Sequence, residues 1–77
     1  MKIEVLGTGC AKCITLEKVV KEAVAKSGKF AQILKVDDII KIMEYGVMST
    51  PGLVIDGKVV STGKVLSVDE VLKLINS

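Results

Sequence analysis

Both cysteines of the chain stand in one short stretch, "GTGCAKC", residues 7–13. Cys10 and Cys13 are separated by two residues, and Gly7 and Gly9 lie just before them. As thiolates, such a pair can hold a soft ion such as Cu(I). As a dithiol, it can close to a disulfide and reopen, carrying two electrons each time. Zinc fits less well, because a closed zinc site usually has four ligands and the chain has no histidine and no third cysteine. A structural staple fits least: a Cys10–Cys13 bridge closes a very small loop, and the entropic gain of a crosslink falls with loop length.

The positions of the two thiols separate their chemistry. Cys10 follows a strand-like segment and a glycine turn, which places it at the N-terminus of a helix. The dipole and free amides there favour an anion, and a thiolate is one. Such surroundings lower a cysteine pKa from about 8.5 to roughly 3.5–7.5. Cys13 falls one turn further in, on the apolar face, where its thiol is shielded. An attacking thiol beside a sheltered one suits thiol–disulfide exchange: the first forms a mixed disulfide with a substrate, and the second displaces the product. Lys12, a solvated surface residue, adds a little positive potential.

The elements that must position these thiols can be read along the chain. "KIEVLG" (2–7) alternates and is β-branched, as a strand is. A helix is expected over Ala11–Ser27, with Cys13, Leu16, Val20 and Ala23 on one face. Gly28 suits its C-cap and Lys26 its last turn. "FAQILKV" (30–36) predicts a second strand, parallel to the first through a right-handed crossover. A short helix follows, capped by Asp37 with Asp38 in its first turn and ended by Gly46. "LVIDGKVVS" reads as two strands joined at Asp56-Gly57 by a type I′ turn. "SVDEVLKLI" opens with a capping box between Ser67 and Glu70 and a staple between Leu66 and Val71. The order is βαβαββα: an α/β domain over residues 1–77, with a four-stranded mixed sheet and helices on both faces.

Composition narrows the partners. The chain has 77 residues, about half of them apolar, with one Phe, one Tyr and no Trp, so Val, Ile and Leu must fill the core. The net charge of +2 comes without a basic stripe or an aromatic platform, which argues against nucleic acid. No apolar run approaches the roughly 18 residues of a spanning helix. "MKIEVLG" carries Lys2 and Glu4 where a signal peptide would be uninterruptedly apolar. A cytoplasmic monomer is expected, in a compartment where a short-spaced cysteine pair is catalytic or metal-binding.

Taken together, the first strand, "GCAKC" opening a helix, "STPG" before an Asp-Gly hairpin and the terminal helix resemble the thioredoxin/glutaredoxin superfamily. The nearest likeness is to its small, single-domain, glutaredoxin-like redox-active disulfide proteins. The resemblance covers almost the whole chain. It implies a thioredoxin-like fold and thiol–disulfide oxidoreductase activity with no bound cofactor and no metal. By the same resemblance, Cys10 is the nucleophile, Cys13 the resolving thiol, Pro51 a cis-proline facing them, and Thr50 the residue whose backbone meets substrate. The implied partners are a disulfide-containing protein or small thiol and a thiol reductase as electron donor. Thioredoxins also carry a buried acid six residues before the nucleophile, which here is Glu4; the competing reading puts Glu4 on a thinly covered sheet face near Lys2. The dipeptide Ala11-Lys12 differs from the Gly-Pro of most thioredoxins and the Pro-Tyr of many glutaredoxins. "GTGCAKC" faintly resembles the loop of heavy-metal-associated domains too, but lacks their Met, and those domains run βαββαβ. A soft-metal or metalloid binding module using the same thiolates is the alternative.

Overall fold

The computed structural model describes residues 1–9 and 11–76. Strand β1 (Lys2–Leu6) is the centre of the molecule. It pairs in parallel with β2 (Gln32–Val36) and antiparallel with β3 (Gly52–Ile55), and β3 pairs antiparallel with β4 (Lys58–Thr62). The sheet order is β2-β1-β3-β4. Residues 3–6 of β1 are all buried, although the strand alternates in type. Both its faces are covered, because α1 (Ala11–Ser27) and α3 (Val68–Asn76) lie on one side and α2 (Ile39–Glu44) on the other.

Strand parity divides the core. Ile3 and Val5 meet Leu16, Val20 and Ala23 of α1 and Val71 and Ile75 of α3, with Leu53 joining from β3. Leu6 and Val54 meet Ile42 and Val47 on the opposite face. Burying each such aliphatic side chain contributes roughly 1.5–3 kcal/mol, and this layer of branched side chains takes the place of aromatic packing. The buried face of α1 is Cys13, Leu16, Val20 and Ala23, the stripe that helical spacing predicts.

Local chemistry sets most element ends. In the hairpin, Asp56 (φ 51) and Gly57 (φ 82) both occupy the left-handed region that a type I′ turn demands. Asp56 is also tied to β1: its N–H donates to the Lys2 carbonyl at 2.7 Å, and its carboxylate accepts from the Lys2 N–H at 2.8 Å. A register shift opposite Leu53 and Val54, which pair with Ser61 and Val59, leaves Val60 as an extra residue on β4. At α3 the Ser67 Oγ accepts from the Glu70 N–H at 3.2 Å, and Glu70 Oε1 accepts from the Ser67 N–H at 3.1 Å. Leu66 and Val71 are both buried beside it.

Two boundaries differ from the sequence reading. Strand β2 begins at Gln32 rather than Phe30, and the Phe30 side chain is 94% exposed. Its parallel partner starts at Lys2, which is level with Gln32, so earlier residues face no strand. The cap of α2 is Asp38, not Asp37: its carboxylate accepts from the Ile40 N–H at 2.9 Å from an extended backbone. From this helix Ile42 packs with Leu6, Val47 and Val54. No helix among the described residues is long and apolar enough to cross a membrane.

Candidate active site

The thiol segment begins where β1 leaves the sheet. Gly7 still holds the ladder, its N–H donating to the Val36 carbonyl at 2.9 Å. Thr8 and Gly9 (φ 88) then turn the chain, and α1 starts at Ala11. Cys10, the expected attacking thiol, lies outside the described residues. Cys13 is the third residue of α1 and only 2% exposed, packed against Gly7. Helical spacing puts it in line with buried Leu16, which explains the sheltering read from sequence.

Thr50 and Pro51 come to the same end of the sheet by long-range pairing. Strands β1 and β3 run antiparallel with Leu6 opposite Gly52, so the end of β1 and the start of β3 coincide. The Thr50–Pro51 peptide bond is cis. The Pro51 ring is fully buried and Thr50 is exposed. The Gly63 N–H donates to the Pro51 carbonyl at 2.8 Å, which joins this turn to the end of β4. A side chain on Gly52 would press on Leu6 and Val47, both 3.3 Å from where its Cβ would stand.

Glu4 is buried, 6% exposed, and its polar partners are Tyr45 and Lys2. The Tyr45 hydroxyl donates to Glu4 Oε2 at 2.8 Å, and Lys2 Nζ stands 3.5 Å from Glu4 Oε1. By strand parity Glu4 shares the α2 face with Leu6, whereas Gly7 and the Cys13 packed on it belong to the α1 face. The hydrogen bond from Tyr45 to Glu4, joined by burial and the charges of Glu4 and Glu44, raises the Tyr45 pKa above the ordinary phenol value. Sequence reasoning did not find Tyr45; its signal was the chain's single tyrosine, at the C-cap of a short helix. Nor did it find the apolar side chains left in water in these segments, Met48 at 96% exposed and Ile14 at 45%.

An open mixed sheet whose first strand-to-helix junction leads to buried Cys13, with a Thr-Pro turn at the same sheet end, has the architecture of a thioredoxin-like α/β protein. The comparisons with known proteins agree. The thioredoxin domain family matches residues 1–76. A thioredoxin of Methanothermobacter thermautotrophicus is 41% identical over 76 residues, covering 99% of each chain. A thioredoxin of Methanocaldococcus jannaschii is 41% identical over 75 residues, covering 97% of this chain and 86% of its own. The chain belongs to the thioredoxin domain family. In kind, it is a thiol–disulfide oxidoreductase.

Proposed function

We propose that Cys10 and Cys13 are the redox couple, with Cys10 attacking and Cys13 resolving, and that the substrates are disulfides of proteins or small thiols. The Cys10 thiolate attacks one sulfur of the substrate disulfide, forming a Cys10–substrate bond and releasing one substrate thiolate, which takes up a proton. The Cys13 thiolate then attacks the Cys10 sulfur. The Cys10–Cys13 bond forms, the mixed disulfide breaks, and the second substrate thiolate leaves and is protonated. The substrate has gained two electrons and the protein has lost them; a thiol reductase returns them by the same exchange in reverse.

The observation that carries this reading is the burial of Cys13 at the sheet end where Thr50 and Pro51 also lie. A buried thiol is poorly placed to meet substrates and well placed to wait for a neighbouring sulfur. Thr50, exposed beside buried Pro51, has its backbone available to an extended substrate in the manner of strand addition. Exposed Met48 and Ile14 add apolar contact suited to a protein substrate. Residues 1–77 act as one monomeric domain without a bound cofactor, in a reducing compartment such as the cytoplasm, where a dithiol can cycle.

Alkylation of the reduced protein at mildly acidic pH tests the assignment: Cys10 labels much faster than Cys13. Cys13→Ser accumulates a mixed disulfide through Cys10, and Cys10→Ser traps little. Equal labelling with no trapped intermediate, together with stoichiometric Cu(I) binding, would overturn it in favour of a metal-binding module.

A further inference from the structure

We propose that Gly7 is a positioning residue for the Cys13 thiol, because the side chain Gly7 lacks is the space the Cys13 sulfur fills. The inference rests on the redox reading above and adds to it a residue outside the Cys-x-x-Cys. A Cβ at Gly7 would overlap Cys13 Sγ and stand 2.9 Å from Cys13 Cβ. Real Cβ atoms essentially never come so close, so one of the two residues would have to move.

The backbone gives no other reason for glycine here. Gly9, two residues on, has a φ of 88°, whereas Gly7 lies outside the left-handed region. The positive φ that favours glycine is therefore not what calls for one at this position. The surroundings also limit where relief can come from. Gly7 is pinned to the ladder through Val36. Helix α1 is anchored by Leu16, Val20 and Ala23, each with no exposed surface. Rotation of the Cys13 side chain about its Cα–Cβ bond moves the sulfur but not the Cβ, so the overlap with the sulfur can be relieved by that rotation, while the 2.9 Å contact with Cys13 Cβ needs a small backbone shift in either redox state.

That rotation is open to a thiol and closed to a disulfide. A reduced Cys13 can move its sulfur to another staggered position. An oxidised Cys13 must keep its sulfur about 2.0 Å from its partner with a torsion near ±90°. A methyl group at Gly7 therefore opposes the Cys10–Cys13 disulfide more than the dithiol. Gly7→Ala is expected to make the disulfide at least tenfold less stable relative to the dithiol. For this two-electron couple, a tenfold change corresponds to about 30 mV in the oxidising direction.

The experiment has two arms. Purified wild type and Gly7→Ala are equilibrated in glutathione or dithiothreitol redox buffers, quenched by alkylation, and the oxidised fraction is measured. A shift of tenfold or more toward the dithiol supports the proposal. A shift below twofold in a folded variant overturns it. In the second arm, urea unfolding of the reduced proteins is compared for wild type, Gly7→Ala, Cys13→Ala and the double variant. If Gly7 acts through the sulfur, the destabilisation by Gly7→Ala falls once Cys13 is alanine, and what remains belongs to the Cβ that alanine keeps. An undiminished effect overturns the proposal. Should Gly7→Ala alone fail to fold, a folded double variant supports the proposal and an unfolded one overturns it. A wild-type protein that forms no Cys10–Cys13 disulfide would instead overturn the redox reading, and the unfolding arm would still decide whether Gly7 makes room for the sulfur.

Discussion

Glu4→Gln separates a structural carboxylate from a proton acceptor for the thiols. The substitution keeps the shape and leaves an amide oxygen to accept from Tyr45, but it removes the charge. A hydrogen bond to a charged group contributes about 1.5–3 kcal/mol and a neutral one about 0.5–1.5, so the Tyr45 contact at 2.8 Å loses roughly 1–1.5 kcal/mol. Lys2 adds little, because its side chain is 54% exposed and its nitrogen 3.5 Å away; exposed pairs contribute only about 0.2–1 kcal/mol. A loss of about 1–2 kcal/mol in a domain of this size lowers Tm by roughly 4–16 °C, which circular dichroism at pH 7 can read. Disulfide reduction by the variant, followed against pH, keeps the wild-type profile, since Glu4 faces α2 while Cys13 lies on the α1 side. A pH midpoint displaced by about one unit, or a resolving step slowed about tenfold, would refute the placement of Glu4 away from the thiol chemistry. An unchanged Tm would refute the role of its hydrogen bond.

Because the chain has one tyrosine, phenolate absorbance reports Tyr45 alone. It titrates above the ordinary value near 10, and Glu4→Gln brings it back toward that value, since the Glu4 hydrogen bond is the largest cause of the rise. A pKa raised in the folded state stabilises the fold below the unfolded value and loses that stabilisation as pH rises through the folded one; Tyr45→Phe lacks this alkaline loss. Glu70 is shifted downward, first by the Ser67 N–H, then by the Ser67 hydroxyl and by Lys64 and Lys73. Its stabilisation is present above the ordinary glutamate value and lost as pH falls through the depressed one, so the Tm gap between wild type and Glu70→Gln narrows on acidification. Leu16→Ala, at a position with no exposed surface beneath Cys13, lowers the unfolding free energy in urea by about 2–5 kcal/mol.

What the sequence by itself determined is what depends on near neighbours. The Asp56-Gly57 turn, the Ser67–Glu70 capping box, the stripe Cys13, Leu16, Val20 and Ala23, and the order βαβαββα all follow from backbone preferences and spacings within a few residues. Each carries its own signal because each closes its hydrogen bonds or forms its apolar face locally. The orientation of Cys13 belongs here as well, since its place in line with Leu16 on the apolar face of an amphipathic helix turns it toward the core.

Only the tertiary structure decided which residues become neighbours across the sheet. Phe30 has the composition of a strand, but β1 has no residue level with it, so β2 starts at Gln32. Two adjacent aspartates offer equal caps in sequence; in the fold the Asp38 carboxylate takes the Ile40 N–H, and Ile42 packs against Leu6 and Val54. Glu4 could read as an acid near the cysteines or as a polar residue on a thinly covered face near Lys2; the fold sets it on the Leu6 face of the sheet, with Lys2 3.5 Å away and the Tyr45 hydroxyl on its carboxylate. The antiparallel pairing of β1 with β3 sets Thr50 and Pro51 at the sheet end that holds Cys13. The same end makes Gly7 more than a turn residue. The need for a missing side chain there comes from a sulfur on another element, and no local preference of the chain encodes that contact.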